Sequence, residues 1–272
     1  MYVSVLDQKG APVPDLGPSD FVVREDGVAR EVLKVEPATD PMQIALLVDN
    51  SAASRSAIAD LRRALHEFVV AMAGRPAGRG RNEMALTTLA DRPTIVTDYT
   101  SDAAALEKGV DRIFAQPQSG TLLMQGIIDI CKGFKAREAQ RPVIVAVITD
   151  GPELSDRFHD HVLEPLKDSG AAFHALVIGP ETGSLETNMR ERGLVLDEGT
   201  RDTGGRRDTL LTSMALSSKL AQVAAELTHQ YKITYAHPQS LIPPERVTVS
   251  AARPGMEARG TLIKERRQGS RQ

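Results

Sequence analysis

Two apolar runs in this chain close on an aspartate with a small residue just behind it. One is LLVDNS, ending at Asp49 with Ser51 two positions on, and the other is AVITDG, ending at Asp150. Between them, SGTLLMQG sets Thr121 after a glycine turn, at the start of a helical stretch. Asp49, Ser51, Thr121 and Asp150 are all oxygen donors, with no His or Cys among them. Such a set suits a hard cation, Mg²⁺, Mn²⁺ or Ca²⁺. The same residue types are also the favoured helix N-caps, and every strand-to-helix turn wants one. On residue type alone both readings stand, and only convergence of the four side chains would separate them.

The elements that must position these residues read as α/β. QIALLVD and PVIVAVITD are almost unbroken apolar runs, as expected of strands covered on both faces. SAIADLRRALHEFVVAMA spaces Ile58, Leu61, Leu65, Phe68, Val69 and Met72 by threes and fours, the pattern of an amphipathic helix. EMALTTLA and PTIVTDY predict two tightly joined strands, DAAALEKGVDRIF and TLLMQGIIDICKGFKAREAQ two helices, and RFHDHVLEPLKDSG a short helix. AAFHALVIG predicts another strand, and LLTSMALSSKLAQVAAELTHQ a long closing helix. Residues 180–208 are rich in Gly, Thr, Glu and Arg and hold the turn TGGRRD; Glu181–Arg192 is counted with the loops. Alternating strands and helices with right-handed crossovers predict a doubly wound, mostly parallel sheet. Asp49 and Asp150 would then emerge at the same edge, beyond the carboxyl ends of the strands, where such folds place their ligands.

Both ends of the chain are β-like. YVSVL, DFVVRED and VAREVLKVE precede the α/β region, and YKITYA, RVTVSAA and MEARGTLIK follow it. Neither end can bury a core alone, so the two are expected to pair as a small antiparallel module. The expected organisation is a β segment over 1–38, an α/β domain over 42–228, a returning β segment over 229–266 and a flexible tail over 267–272.

Composition narrows the partners. Thirty-three basic residues against thirty-six acidic ones give a net charge of -3, and 4% aromatic residues with no Trp leave few stacking platforms for nucleic acid. The basic stretches GRPAGRGR and KERRQGSRQ are expected to be solvated. Cys131 stands alone, which excludes an intramolecular disulfide and a thiolate zinc cage. No apolar run reaches membrane-spanning length, so no transmembrane segment is expected. YVSVLD enters strand alternation directly, without the apolar core of an export signal.

DNSAA, SGT and ITDG, in this order on alternating strands and helices, resemble a von Willebrand factor type A domain and its metal-ion-dependent adhesion site, D-x-S-x-S followed by Thr and then Asp. The flanks GAPVPDLGPSDFVVREDGVAREV and ELTHQYKITYAHP resemble a bacterial family of exported type A proteins. The resemblance implies that Asp49, Ser51, Thr121 and Asp150 hold Mg²⁺ or Mn²⁺, with Ser51 and Thr121 as direct ligands and the aspartates acting partly through water. It implies a protein-binding or adhesive role without catalysis, in which the ion bridges to an acidic residue of a protein partner. The loops Gln118–Leu122, Gly151–Asp156 and Glu181–Arg192 would shape partner choice. It also implies an extracytoplasmic location, the export signal lying outside this chain, with a cytoplasmic one as the alternative. One position departs from the pattern: Ala53 stands where a second serine is expected, and Ser54, one residue on, is rotated about 100° away on a helix. A metal-free scaffold, binding through loops or the β module, is therefore the competing expectation.

Two further chemistries fit less well. Aspartate-based phosphoryl transfer from Asp49 would want a second acid two residues on, where Ser51 stands. Zinc at His159, His161 and His174 is disfavoured because residues i and i+2 of a helix do not face each other. DTGGRRD lacks the pattern of a phosphate-binding loop, and no G-x-S-x-G supports a hydrolase.

Overall fold

A computed structural model of the protein describes residues 1–272 except 74, 75, 78, 79, 181–185, 238–243, 245 and 263–272. The lead-in folds as β1 (Tyr2–Asp7), β2 (Phe21–Glu25), β3 (Val28–Arg30) and β4 (Val32–Pro37). The α/β region then runs β5 (Gln43–Val48), α1 (Ile58–Met72), the two-residue strands β6 (Pro76–Ala77) and β7 (Gly80–Arg81), β8 (Glu83–Thr88), β9 (Thr94–Thr100), α2 (Ala103–Val110) and α3 (Leu123–Ala136). It continues through β10 (Pro142–Thr149), α4 (Asp160–Ser169), β11 (Ala172–Ile178), α5 (Thr187–Asp202), β12 (Arg207–Leu210) and α6 (Leu216–Thr228). The return supplies β13 (Tyr231–Tyr235), β14 (Val247–Ala251) and β15 (Met256–Thr261).

The six-stranded sheet has the order β12-β11-β10-β5-β8-β9, and every neighbour is parallel except the edge pair β8 and β9. Alternate residues of each strand feed opposite faces, so Ile44, Leu46 and Val48 of β5 pack with α1, α2 and α6, while Ala45 and Leu47 pack with α3 and its neighbours. Burial on both sides explains the unbroken apolar runs of β5 and β10. This is the doubly wound, mostly parallel sheet that the strand–helix alternation predicts. β5 and β10 lie side by side, with Val48 opposite Val147, so Asp49 and Thr149 leave the sheet together at its carboxyl edge.

The chain ends pair, but as two sheets rather than one: β15-β1-β13-β4 and β14-β2-β3, both antiparallel. Val3, Val5, Phe21, Val23, Tyr231 and Ile233 form their shared core. Arg141 ties this module to the α/β domain. It is buried, donates to the carbonyls of Ala38, Asp40 and Leu227 and to Gln230 Oε1, and stacks on Tyr2.

The region after β11 differs from the sequence expectation. Thr187–Arg192 is not loop but the first turns of α5, and Leu210 ends β12 instead of opening the last helix. Only Arg192, Val195, Leu196, Gly199 and Thr200 of α5 are buried, so its apolar stripe is too thin to stand out against the interior glycines. Residues 181–185 of that expected loop, all of the basic stretch KERRQGSRQ, and positions 74, 75, 78 and 79 of GRPAGRGR lie outside the described residues. Among the described residues no helix is long and apolar enough to cross a membrane.

Candidate metal centre

Asp49 is completely buried where β5 runs out. Its Oδ1 accepts the Ser51 amide at 2.8 Å, closing a two-residue turn of the kind Asp favours. Its Oδ2 accepts the Thr149 amide at 3.0 Å and the Thr149 hydroxyl as well. The carboxylate thus clamps the ends of the two central strands, using both oxygens. Asn50 fixes the same turn from outside: its Oδ1 accepts the Ala90 amide and its Nδ2 donates to the Phe114 carbonyl.

Ser51 and Thr121 behave differently. Both are fully buried, and neither Ser51 Oγ nor Thr121 Oγ1 has a hydrogen-bond partner among the described residues. Leaving a buried hydroxyl unmatched costs about 1–3 kcal/mol, which a bound ion or a water at this edge would relieve. Thr121 lies just ahead of α3, not within it, in single bridges to Ala90 and to Glu153. Its amide donates to the Pro152 carbonyl at 2.9 Å, and its carbonyl accepts the Leu154 amide at 2.8 Å. The loop carrying Thr121 meets the loop carrying Ser51 through the Ala52 amide, which donates to the Ser119 carbonyl. Gly151 completes the wall: a Cβ there would lie 3.7 Å from Ser51 Oγ, 3.2 Å from Thr149 Oγ1 and 2.6 Å from the Ala53 methyl.

These hydrogen bonds and contacts bring the segments that carry Asp49, Ser51, Thr121 and Gly151 together at one edge of the sheet, hereafter the notch. The Asp150 side chain is the exception. It is exposed, and its carboxyl group packs over the Cα of Gly179, at the end of β11 and on the far side of β10 from Asp49. Ser54 takes no part as a donor to the notch, because its hydroxyl donates to the Ser51 carbonyl at 2.8 Å. Ala53 is exposed at the rim.

Three residues that the sequence does not single out complete the surroundings, Glu153 and Arg192 lying within segments expected as partner-shaping loops. Thr149 anchors Asp49; it sits directly before the aspartate of AVITDG and passed as an ordinary strand residue. Glu153 is buried, and its carboxylate accepts the Leu123 amide that opens α3 and the Ser155 amide, while burial pushes its carboxyl above the usual range. Arg192, from α5, is buried and donates from Nη1 to the Gly151 carbonyl at 2.9 Å; burial lowers its pKa against the opposing pull of Glu153, Asp49 and Asp150. Within Glu181–Arg192 no sequence signal singles out Arg192, because the apolar pattern of its helix is weak.

Hard oxygen donors, two of them neutral and unmatched, fit Mg²⁺ or Mn²⁺. Among the described residues no three of His, Cys, Asp and Glu cluster as a metal site, so an ion here would depend on the hydroxyls. The histidines do not assemble: His159 pairs with Glu191 at 2.7 Å, His161 lies edge-on to Phe158, and His174 is buried on β11. Full burial of Asp49, with both oxygens occupied, also leaves it poorly placed as a nucleophile.

A parallel sheet wrapped by helices on both faces, with a notch at its carboxyl edge, defines an α/β domain of the doubly wound class. Within it, residues 44–153 match the family model of the von Willebrand factor type A domain. Among solved structures, proximal thread matrix protein 1 of the mussel byssus is similar at 18% identity and a TM-score of 0.56, over 79% of this chain and 50% of that one. A von Willebrand factor type A protein from Catenulispora acidiphila is similar at 12% identity and 0.54, over 84% of this chain and 50% of that one. BatB from Bacteroides thetaiotaomicron, a conserved hypothetical protein, is similar at 15% identity and 0.50, over 68% of this chain and 98% of that one. The mussel protein also matches in a form with a zinc-occupied MIDAS motif, at 16% identity and 0.56, over 75% of this chain and 50% of that one. The chain spans half the length of the mussel and Catenulispora proteins it matches, and at these identities the likeness is one of fold. No curated protein matches.

Proposed function

We propose that this chain is a protein-binding type A domain, without catalysis of its own, whose notch takes Mg²⁺ or Mn²⁺ and through it an acidic side chain of a partner protein. The observation that carries this reading is the pair of buried, unmatched hydroxyls, Ser51 Oγ and Thr121 Oγ1, beside the sealed Asp49 carboxylate. Ser51 and Thr121 would be the direct ligands; Asp49, and Asp150 if its side chain turns from Gly179, would act through water. An ion held by neutral oxygens keeps net positive charge and an open coordination position for a carboxylate. The mussel protein, with zinc at its own MIDAS motif, lends the reading support by analogy. Exposed Phe114, Leu154 and Leu211 on loops and strand ends at this edge supply the apolar surface that protein partners favour. The same reading takes the work to be done outside the cytoplasm, on the resemblance of the β-rich flanks to those of exported type A proteins.

Calorimetric titration of the full chain with Mn²⁺ and Mg²⁺ tests the proposal. Wild type is expected to bind in the millimolar range or tighter, Ser51→Ala and Thr121→Val to lose the heat, and Ala53→Ser to bind more tightly because a fixed oxygen replaces water. Silence from wild type and Ala53→Ser alike would leave the second reading, a metal-free scaffold, which Ala53 at the rim favours.

A further inference from the structure

Arg192 is a cation that the fold delivers to the wall of this notch. It reaches across from α5, is 4% exposed, and holds the Gly151 carbonyl at 2.9 Å. Gly151 is also the residue that stands against Ser51 Oγ and Thr149 Oγ1. A buried guanidinium is always charged and is a poor neighbour for a second cation unless carboxylates outnumber it. The carboxylates facing it are Glu153, Asp49 and Asp150. Their capacity is already divided: Asp49 serves the amides of Ser51 and Thr149, Glu153 serves those of Leu123 and Ser155, and Asp150 packs over Gly179.

Resting on the metal-binding reading above, we infer that Arg192 is a resident countercation of the notch, which competes electrostatically with a divalent ion and sets its affinity low. In the ion-free protein its charge compensates the buried carboxylates, so the apo fold needs no metal for stability. When an ion enters, that compensation becomes repulsion between a guanidinium and a doubly charged neighbour within sparsely hydrated protein. Ala53 acts in the same direction by withholding a ligand. Together they make a site that loads only where divalent ions are plentiful, or where a partner carboxylate arrives with the ion and adds the missing negative charge.

The test is Mn²⁺ binding by the full chain, followed through loss of the free-ion paramagnetic resonance signal, with apo melting recorded alongside. Arg192→Gln removes the charge and is expected to bind Mn²⁺ about tenfold or more tightly than wild type, with a lower apo melting temperature and a larger gain on saturation. Arg192→Lys retains the charge and should stay near wild type. A purely structural role would lower the melting temperature without tightening Mn²⁺. Arg192→Gln binding no tighter than wild type, while Ala53→Ser does tighten, overturns this inference and leaves the metal reading standing. No Mn²⁺ bound by wild type, Arg192→Gln or Ala53→Ser removes both. Should the Gln variant fail to fold by circular dichroism, Arg192→Met, which keeps the aliphatic stem packed, carries the same comparison.

Discussion

Gly151 offers a test of the notch geometry that needs no ligand. Its backbone angles lie in a region open to any residue, so only space excludes a side chain there. An added Cβ would sit 2.6 Å from the Ala53 methyl, well inside the ~3.5–4.0 Å at which carbons rest in contact. Gly151→Ala should therefore cost about 1–3 kcal/mol as a local overpacking strain. With an unfolding entropy of about 2.1 cal/mol/K per residue, that corresponds to a drop of roughly 2–5 °C in melting temperature for a chain of this size. Ala53→Gly alone should cost about 0.5–1 kcal/mol, because it adds a glycine to a short helical turn. In the double variant the clashing methyl is gone, and urea unfolding should show a favourable coupling of about 1 kcal/mol or more. Effects that add within about 0.5 kcal/mol would mean that Gly151 and Ala53 are not in contact, and the wall of the notch as described would be wrong.

Two other features make predictions of their own. Arg141→Met should cost about 3–4 kcal/mol, since four acceptors lose a charged donor, and limited proteolysis should then cut between the β module and the α/β domain well below the melting temperature. His174 is fully buried, which lowers its pKa from 6.5 to about 4, so the folded chain refuses a proton that the unfolded chain accepts. Stability is accordingly lost as pH falls from about 6.5 to about 4, by up to roughly 3 kcal/mol, and this loss levels off below that window. His174→Met should flatten that limb of a pH series of urea midpoints; an unchanged acid slope would refute the assignment.

What the sequence made legible follows from how strongly burial constrains residue type. β5 and β10 carry nothing but apolar residues between their ends because helices cover both faces, so their positions could be read directly, and with them the aspartates at their ends. α1 was equally plain, since one face meets the sheet and the other meets water. α5 was not: it lies over the end of the sheet, buries two aliphatic side chains, and spends another buried position on Arg192. Arg192, which reaches the Gly151 carbonyl, thus sits on the element with the weakest pattern. The direction of Asp150 was hidden for another reason. Register fixes where its Cα leaves β10, whereas the side chain settled on the bare Cα of Gly179, a contact between two strand ends that no local pattern encodes.

The division of labour among the oxygens is the physical heart of the site. Asp49 alone would draw a cation strongly, but both of its oxygens are committed to amide and hydroxyl donors that join β5 to β10. Asp49→Asn would set an amide group against those donors and weaken the strand junction, so the charge of Asp49 is needed for the fold whether or not an ion is present. On the proposed reading the direct contacts would fall to Ser51 and Thr121, whose neutral hydroxyls have no hydrogen-bond partner among the described residues. Binding through such oxygens costs the protein no hydrogen bond and neutralises none of the ion's charge. It would also be weak unless something negative completed the shell, which on the proposed reading is a partner's carboxylate. If the proposed ion and partner carboxylate meet at such a notch, the two should bind cooperatively, each tightening the other by the same factor.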